Sequence, residues 1–217
     1  MFYTVSHFTR FQYSSPVNAS VMDTRMQPRS DGTQRCLILQ RSGSPPCRFF
    51  SYRDHVKNHN HHFDVPNSHE QLVLVAESRV DLQPTPVLPS FLSLGAWEEL
   101  DTSVAAGDFW EMLLPSKFAQ PTALLKKFAE EINAVRRDDP LSVVHDLNRA
   151  LYDRFSYVPR STNVDSPIDI ALETRQGVCQ DFAHILIALL RNLGIPARYV
   201  SGYLYHRLGD PDHSVDG

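Results

Sequence analysis

A chain of 217 residues and 24.7 kDa holds one or two domains, and a chain of this size hides roughly 70% of its unfolded surface. Hydrophobic residues make up 42% and charged residues 21%, which excludes wholesale disorder. The 21 lysines and arginines stand against 25 aspartates and glutamates, a net charge of −4, so composition supports neither a nucleic-acid nor an anionic-membrane partner.

No apolar run reaches the roughly 18 to 20 residues of a membrane span. The start, MFYTVSHFTRFQYSSP, lacks the basic, apolar and small-residue blocks of a signal peptide. Three cysteines, Cys36, Cys47 and Cys179, are too few for a disulfide framework and point to a reducing, cytoplasmic setting, with Cys36 and Cys47 expected to stay unpaired.

Residues 1–83 read as an antiparallel β-rich domain. Tyr3, Val5 and His7 alternate with Phe2, Ser6 and Phe8. Leu72–Ala76 and Ser78–Leu82 have β-branched, period-two character. Asp31-Gly32 and Ser42–Pro46 mark turns. Residues 84–120 read as a proline-rich connector with an irregular part carrying Trp97 and Trp110, because Pro84, Pro86 and Pro89 disfavour helix interiors and central strands. The two tryptophans are expected to pack between domains.

From 121 to 217 the period turns helical. Leu124, Leu125, Phe128, Ile132 and Val135 fit one amphipathic face. Asp139-Pro140 supplies an N-cap and a first-turn proline for a second helix, striped by Val143, Val144, Leu147, Ala150, Leu151 and Phe155. Ser166-Pro167 with Asp169 opens a short third one. The next helix starts at Gly177-Val178-Cys179-Gln180-Asp181 and runs to about Leu193, where Gly194 and Pro196 stop it. Its faces are apolar nearly all round, so it belongs inside the fold. Arg198–Tyr205 reads as a strand, with Tyr199, Tyr203 and Tyr205 on one face.

Cys179 thus falls in a first helical turn, where free N–H groups and the helix dipole favour a thiolate. The same N–H groups, that of Gln180 included, could hold an oxyanion. Gly177 would let a substrate backbone approach. The other reading of Cys179 is a small buried hydrophobe in a core helix.

The run GVCQDFAHILIALLRNLGIPARYVSGYLY resembles the transglutaminase-like cysteine enzymes, specifically their bacterial branch. MFYTVSHFTRFQYSSPV and YRDHVKNHNHHFDVP are similar to the β-rich domain that precedes the catalytic core there. The resemblance covers essentially the whole chain. It implies an α+β architecture: a β-rich N-terminal domain, then a papain-like core, here truncated. It also implies a Cys-His-Asp triad in which Cys179 attacks an amide of a protein or peptide and forms a thioester, released by water or an amine. No cofactor or metal is required, and no membrane partner is implied.

The pattern is incomplete. The family's histidine opens a later strand and its aspartate follows, whereas this sequence stops at Gly217. The sequence is therefore expected to be a fragment, inactive alone. His184 lies five positions after Cys179, about 140° round the helix, and should face away from the thiol. His206 and His213 follow the expected strand, with nothing to orient them as a base. Asp181 reads as structural, since its charge opposes a thiolate, with a role in orienting a substrate-side loop or pairing with Arg198 as alternatives. His55, His59, His61 and His62 cluster in RDHVKNHNHHF. With no cysteine nearby and only Asp54 and Asp64 as local carboxylates, they read as a solvated hairpin rim and not a zinc site. The family usually has glycine where Lys57 stands. A second function class stays open, a binding or scaffold module with a vestigial core.

Overall fold

The structure, a computed structural model, describes residues 1–205. They form two compact units, Met1–Pro86 with Gly202–Tyr205, and Val87–Ser201.

In the first unit, β1 (Phe2–Val17), β2 (Ser20–Thr24), β3 (Gln34–Ser44), β4 (Phe50–Arg53), β5 (His59–Val65) and β6 (His69–Leu82) form two three-stranded antiparallel sheets, ordered β1-β6-β3 and β2-β5-β4. Period-two alternation builds the core. Phe63 and Val65 from β5 meet Leu72, Leu74 and Ala76 from β6, because alternate side chains of a strand share one face. Leu72–Ala76 and Ser78–Leu82 belong to a single long strand, the central one of its sheet. Along β1, Tyr3, Val5 and His7 are half-buried while Phe2 and Phe8 face out.

The histidine cluster is only partly a solvated rim, with His55 exposed and His59 and His62 half-buried. His61 is 1% exposed, inward with Phe63 and Val65 on β5. His62 lies 3.4 Å from Asp23. Among the described residues no group of three or more His, Cys, Asp or Glu is placed to hold a metal. Cys36, Cys47 and Cys179 are free. Cys47 Sγ crowds Gly43, seven residues along β3 from Cys36, which is roughly 23 Å of strand.

The β4–β5 hairpin closes at Asp54, whose carbonyl accepts from Lys57 N–H at 2.9 Å. Its carboxylate accepts from Asn58 N–H at 2.8 Å. Lys57 has φ +67°, a left-handed conformation that costs a side-chain-bearing residue about 1 kcal/mol. Glycine adopts it freely. Lys57→Gly is expected to raise stability by about 0.5–1 kcal/mol, read as a higher urea midpoint at unchanged slope. An unchanged or lower midpoint contradicts this.

In the second unit, α1 (Ala96–Ala105) is helical where the sequence reads as irregular. Trp97 packs inside this unit, its ring under the Arg136 guanidinium at 4.5 Å and its indole N–H donating to Arg137 O at 3.3 Å. Trp110 is exposed. Next come α2 (Ala123–Glu131), α3 (Pro140–Arg154), β7 (Ser156–Tyr157), α4 (Ile168–Thr174), β8 (Gln176–Gly177) and α5 (Cys179–Asn192). Helix α2 ends before Val135. Asn133 takes φ +52° and Ala134 N–H bonds back to Ala129 O at 2.8 Å, a left-handed C-terminal closure that asparagine tolerates. Asp139 caps α3 as expected, accepting from Leu141 N–H at 2.9 Å and Ser142 N–H at 3.2 Å. Helix α5 ends at Gly194, φ +75°, with Ile195 N–H returning to Leu190 O at 2.9 Å. The core joins Leu125, Phe128, Val143, Leu147, Ile185 and Leu189 from α2, α3 and α5.

Arg198–Tyr205 is not a strand. A strand needs a ladder partner, and among the described residues none pairs with it. Within the first unit, Tyr203 OH instead lies 3.0 Å from His7 Nδ1, and Tyr205 sets its ring edge-on to Tyr3 at 5.4 Å. No helix among the described residues is long and apolar enough to cross a membrane.

Candidate functional site

Helix α5 is mostly buried from Ile185 to Leu190, yet its first residue, Cys179, is exposed. The amphipathic pattern alone does not give this exposure. It arises because the chain enters α5 directly from a strand at the edge of the helical core. Strand β8 pairs in parallel with β7, Tyr157 opposite Gly177, and Val158 N–H donates to Gly177 O at 3.0 Å. Val178 then turns the chain as N-cap in extended backbone. The amides at the start of any helix lack intrahelical acceptors, so those of Cys179, Gln180 and Asp181 lie at the thiol end.

Val178 has no side-chain oxygen with which to cap the helix. Asp181 does part of that work in reverse. Its carboxylate Oδ2 accepts from Val178 N–H at 2.8 Å and from Thr162 Oγ1 at 2.6 Å, and the residue is 3% exposed. A buried carboxylate survives only when hydrogen-bonded like this. It does not pair with Arg198, which is exposed. The room for it comes from Gly177. A Cβ there would lie 3.0 Å from Asp181 Oδ2 and 3.1 Å from Phe182 Cε1. The glycine is itself buried, and its lack of a side chain leaves Asp181 its seat. Gln180 reaches outward, its Nε2 donating to Val164 O at 2.9 Å.

His184 faces elsewhere. Its ring is stacked between Phe118 at 5.3 Å and Tyr199 at 4.9 Å. Burial pushes the imidazole below its ordinary value of 6.5, Asp181 pulls it back, and Arg191 pushes it down again. Tyr199 is raised above the usual phenol range, first by burial and then by the nearby Cys179 sulfur. Arg191 holds the turn that delivers Tyr199, donating to Ala197 O from Nε at 3.1 Å and Nη2 at 2.8 Å, and to Leu114 O from Nη1 at 2.6 Å.

The lowered His184 value fixes a sign. The unfolded ring takes up its proton near 6.5 and the folded ring only at lower pH. Its contribution to stability is therefore whole above that value and is lost as pH falls below it. The urea midpoint is expected to drop between about pH 7.5 and pH 5.5. His184→Phe, which keeps the stack, should shrink that drop. It should not erase it, because burial and then Arg53 lower His59 in the same direction. An equal drop in wild type and variant counts against the assignment.

Cys179, Gln180, Gly177 and Asp181 therefore come together, while His184 is turned into an aromatic stack. His206 and His213 lie outside the described residues. Thr162 and Val164 were not legible as site residues. Nothing in the Ser-Thr-Asn run hints at α5, and only the β7–β8 pairing brings them there.

Residues 3–81 match the bacterial transglutaminase-like N-terminal region, and residues 126–215 match the transglutaminase-like superfamily core. An uncharacterised protein of Mycobacterium leprae is 32% identical over 201 residues, covering 93% of this chain and 70% of that protein. A protein-glutamine gamma-glutamyltransferase of Pseudomonas aeruginosa is 28% identical over 117 residues, 52% of this chain and 17% of that protein. The crystal structure of a Cytophaga hutchinsonii protein, provisionally named a cysteine protease, shares the fold at TM-score 0.65 and 20% identity, covering 90% of this chain and 67% of that one. The chain spans 65 to 70% of the length of the mycobacterial relatives it matches. By fold, by family match at both ends and by identity to a relative over most of its length, the chain belongs to the transglutaminase-like superfamily, in the bacterial branch with a β-rich N-terminal region.

Proposed function

We propose that the whole protein is a cysteine acyltransferase or amidase in which Cys179 is the nucleophile. The observation that carries this is the exposed thiol at the first turn of an otherwise buried helix. The sulfur of the thiolate attacks the carbonyl carbon of a glutamine or peptide amide. Free first-turn amides, those of Cys179 and Gln180 foremost, take the oxyanion. The C–N bond breaks, the nitrogen leaves with a proton as ammonia or amine, and a thioester remains. Water or a primary amine then attacks that carbonyl and releases the sulfur. The glutamyltransferase name of the Pseudomonas relative favours glutamine as acyl donor.

Proton transfer needs a base in hydrogen-bond contact with the thiol. Among the described residues no histidine bonds Cys179, and His184 is held by Phe118 and Tyr199. None of the described histidines therefore serves as that base. The test of the whole reading is acyl trapping. The protein in its longest natural form, incubated with an activated glutamine ester, should carry the acyl mass on the Cys179 peptide. An adduct on Cys36 or Cys47 instead, or none, overturns the proposal.

A further inference from the structure

Between β7 and α4 the chain runs through residues 158–166 without regular structure apart from turns. It is nevertheless tied down at several points. It leaves from the Val158–Gly177 bond and is closed on itself by Ser166 N–H to Asn163 O at 3.1 Å and Asn163 N–H to Ser166 Oγ at 2.9 Å. Its middle is fastened to α5 twice, by Thr162 to Asp181 and by Gln180 to Val164 O. The two α5 residues that hold it are the two that follow Cys179.

We infer that this loop flanks Cys179 as a wall that a molecule approaching the thiol meets, and that Asp181 is the positioning residue that fixes wall and thiol relative to each other. The inference rests on Cys179 being the reactive residue, as proposed above. Asp181 suits the task for three reasons. A single oxygen, Oδ2, takes both the Val178 amide, which sets the entry into α5, and the Thr162 hydroxyl, which sets the loop. The carboxylate is buried, so water does not compete for those bonds. Gly177 leaves the space it occupies. Val164, held through its carbonyl, is 76% exposed, an apolar contact for the substrate residue flanking the acyl group.

The clamp separates shape from charge. Asn in place of Asp181 can present its one carbonyl oxygen to both donors, whereas Ala presents none. Two readouts apply to the 217-residue chain. The first is amide hydrogen exchange over 158–166. The second is the ratio of alkylation rates at Cys179 for N-benzyl iodoacetamide and iodoacetamide, resolved by peptide mass from Cys36 and Cys47. The ratio cancels the thiolate fraction, so it reports the wall alone. Asp181→Ala should speed loop exchange about tenfold and raise the ratio at least about threefold, while Asp181→Asn stays within about twofold of wild type on both. Thr162→Val, close in shape, should loosen the loop and raise the ratio even if Asp181→Ala does not fold. Unchanged exchange and ratio in Thr162→Val overturn the inference, as does Asn behaving like Ala. Failure of the acyl-trapping experiment with these results intact would instead strike the nucleophile assignment.

Discussion

Cys179→Ala in the protein's longest natural form is expected to lower acyl transfer from a glutamine peptide by about 10³-fold or more, with no loss of fold. Without sulfur no thioester forms, and what remains is the modest catalysis that oriented amides and binding supply. The thiol is exposed at a helix start, so alanine there should leave stability within about 0.5 kcal/mol. That pairing makes the result decisive. Turnover of ammonia from the peptide and the urea midpoint are measured on the same preparation. Lost turnover with an unmoved midpoint assigns chemistry to the thiol. Retained turnover removes Cys179 from the mechanism, and a large fall in midpoint would mean the sulfur is a packing atom after all.

The second large effect concerns the seat of α5. Phe128 is 1% exposed. Its ring meets Phe155 edge-on at 5.3 Å, and Phe155 meets Phe182 in the first turns of α5 at 5.7 Å. The Arg175 guanidinium covers the Phe128 face at 4.5 Å. Phe128→Ala removes a ring from a close-packed core and leaves a cavity, so about 3–5 kcal/mol should be lost. Because Phe182 also touches the space above Gly177, the damage should reach the loop clamp, seen as faster exchange over 158–166. Phe128→Leu should recover most of the stability. A loss under about 1 kcal/mol for Ala would show that the ladder does not support α5.

Much of this was legible from residues. The caps at Asp139 and Gly194 are local: one side-chain acceptor and one left-handed glycine suffice. Tyr3, Val5 and His7 alternate as expected, since one face of β1 meets the interior. The short strands β2 and β4 were not legible. Every residue of β4 is exposed, and a strand solvated on both faces carries no alternation to read. Arg198–Tyr205 failed in the opposite way. Its alternating tyrosines look like a strand, but a strand exists only with a partner's hydrogen bonds. His61 was misplaced because a histidine in a polar run gives no sign that its neighbours on β2 and β4 will enclose it.

By itself the amino-acid sequence determined the family, the β-then-helical order and the residue at the head of α5, because motif, period and capping are properties of neighbours along the chain. Only the tertiary structure decided what surrounds that residue. The Thr162–Asp181 bond and the Phe118–His184–Tyr199 stack join segments up to 81 positions apart. Such contacts depend on which strand pairs with which and how helices pack, and no local spacing encodes them.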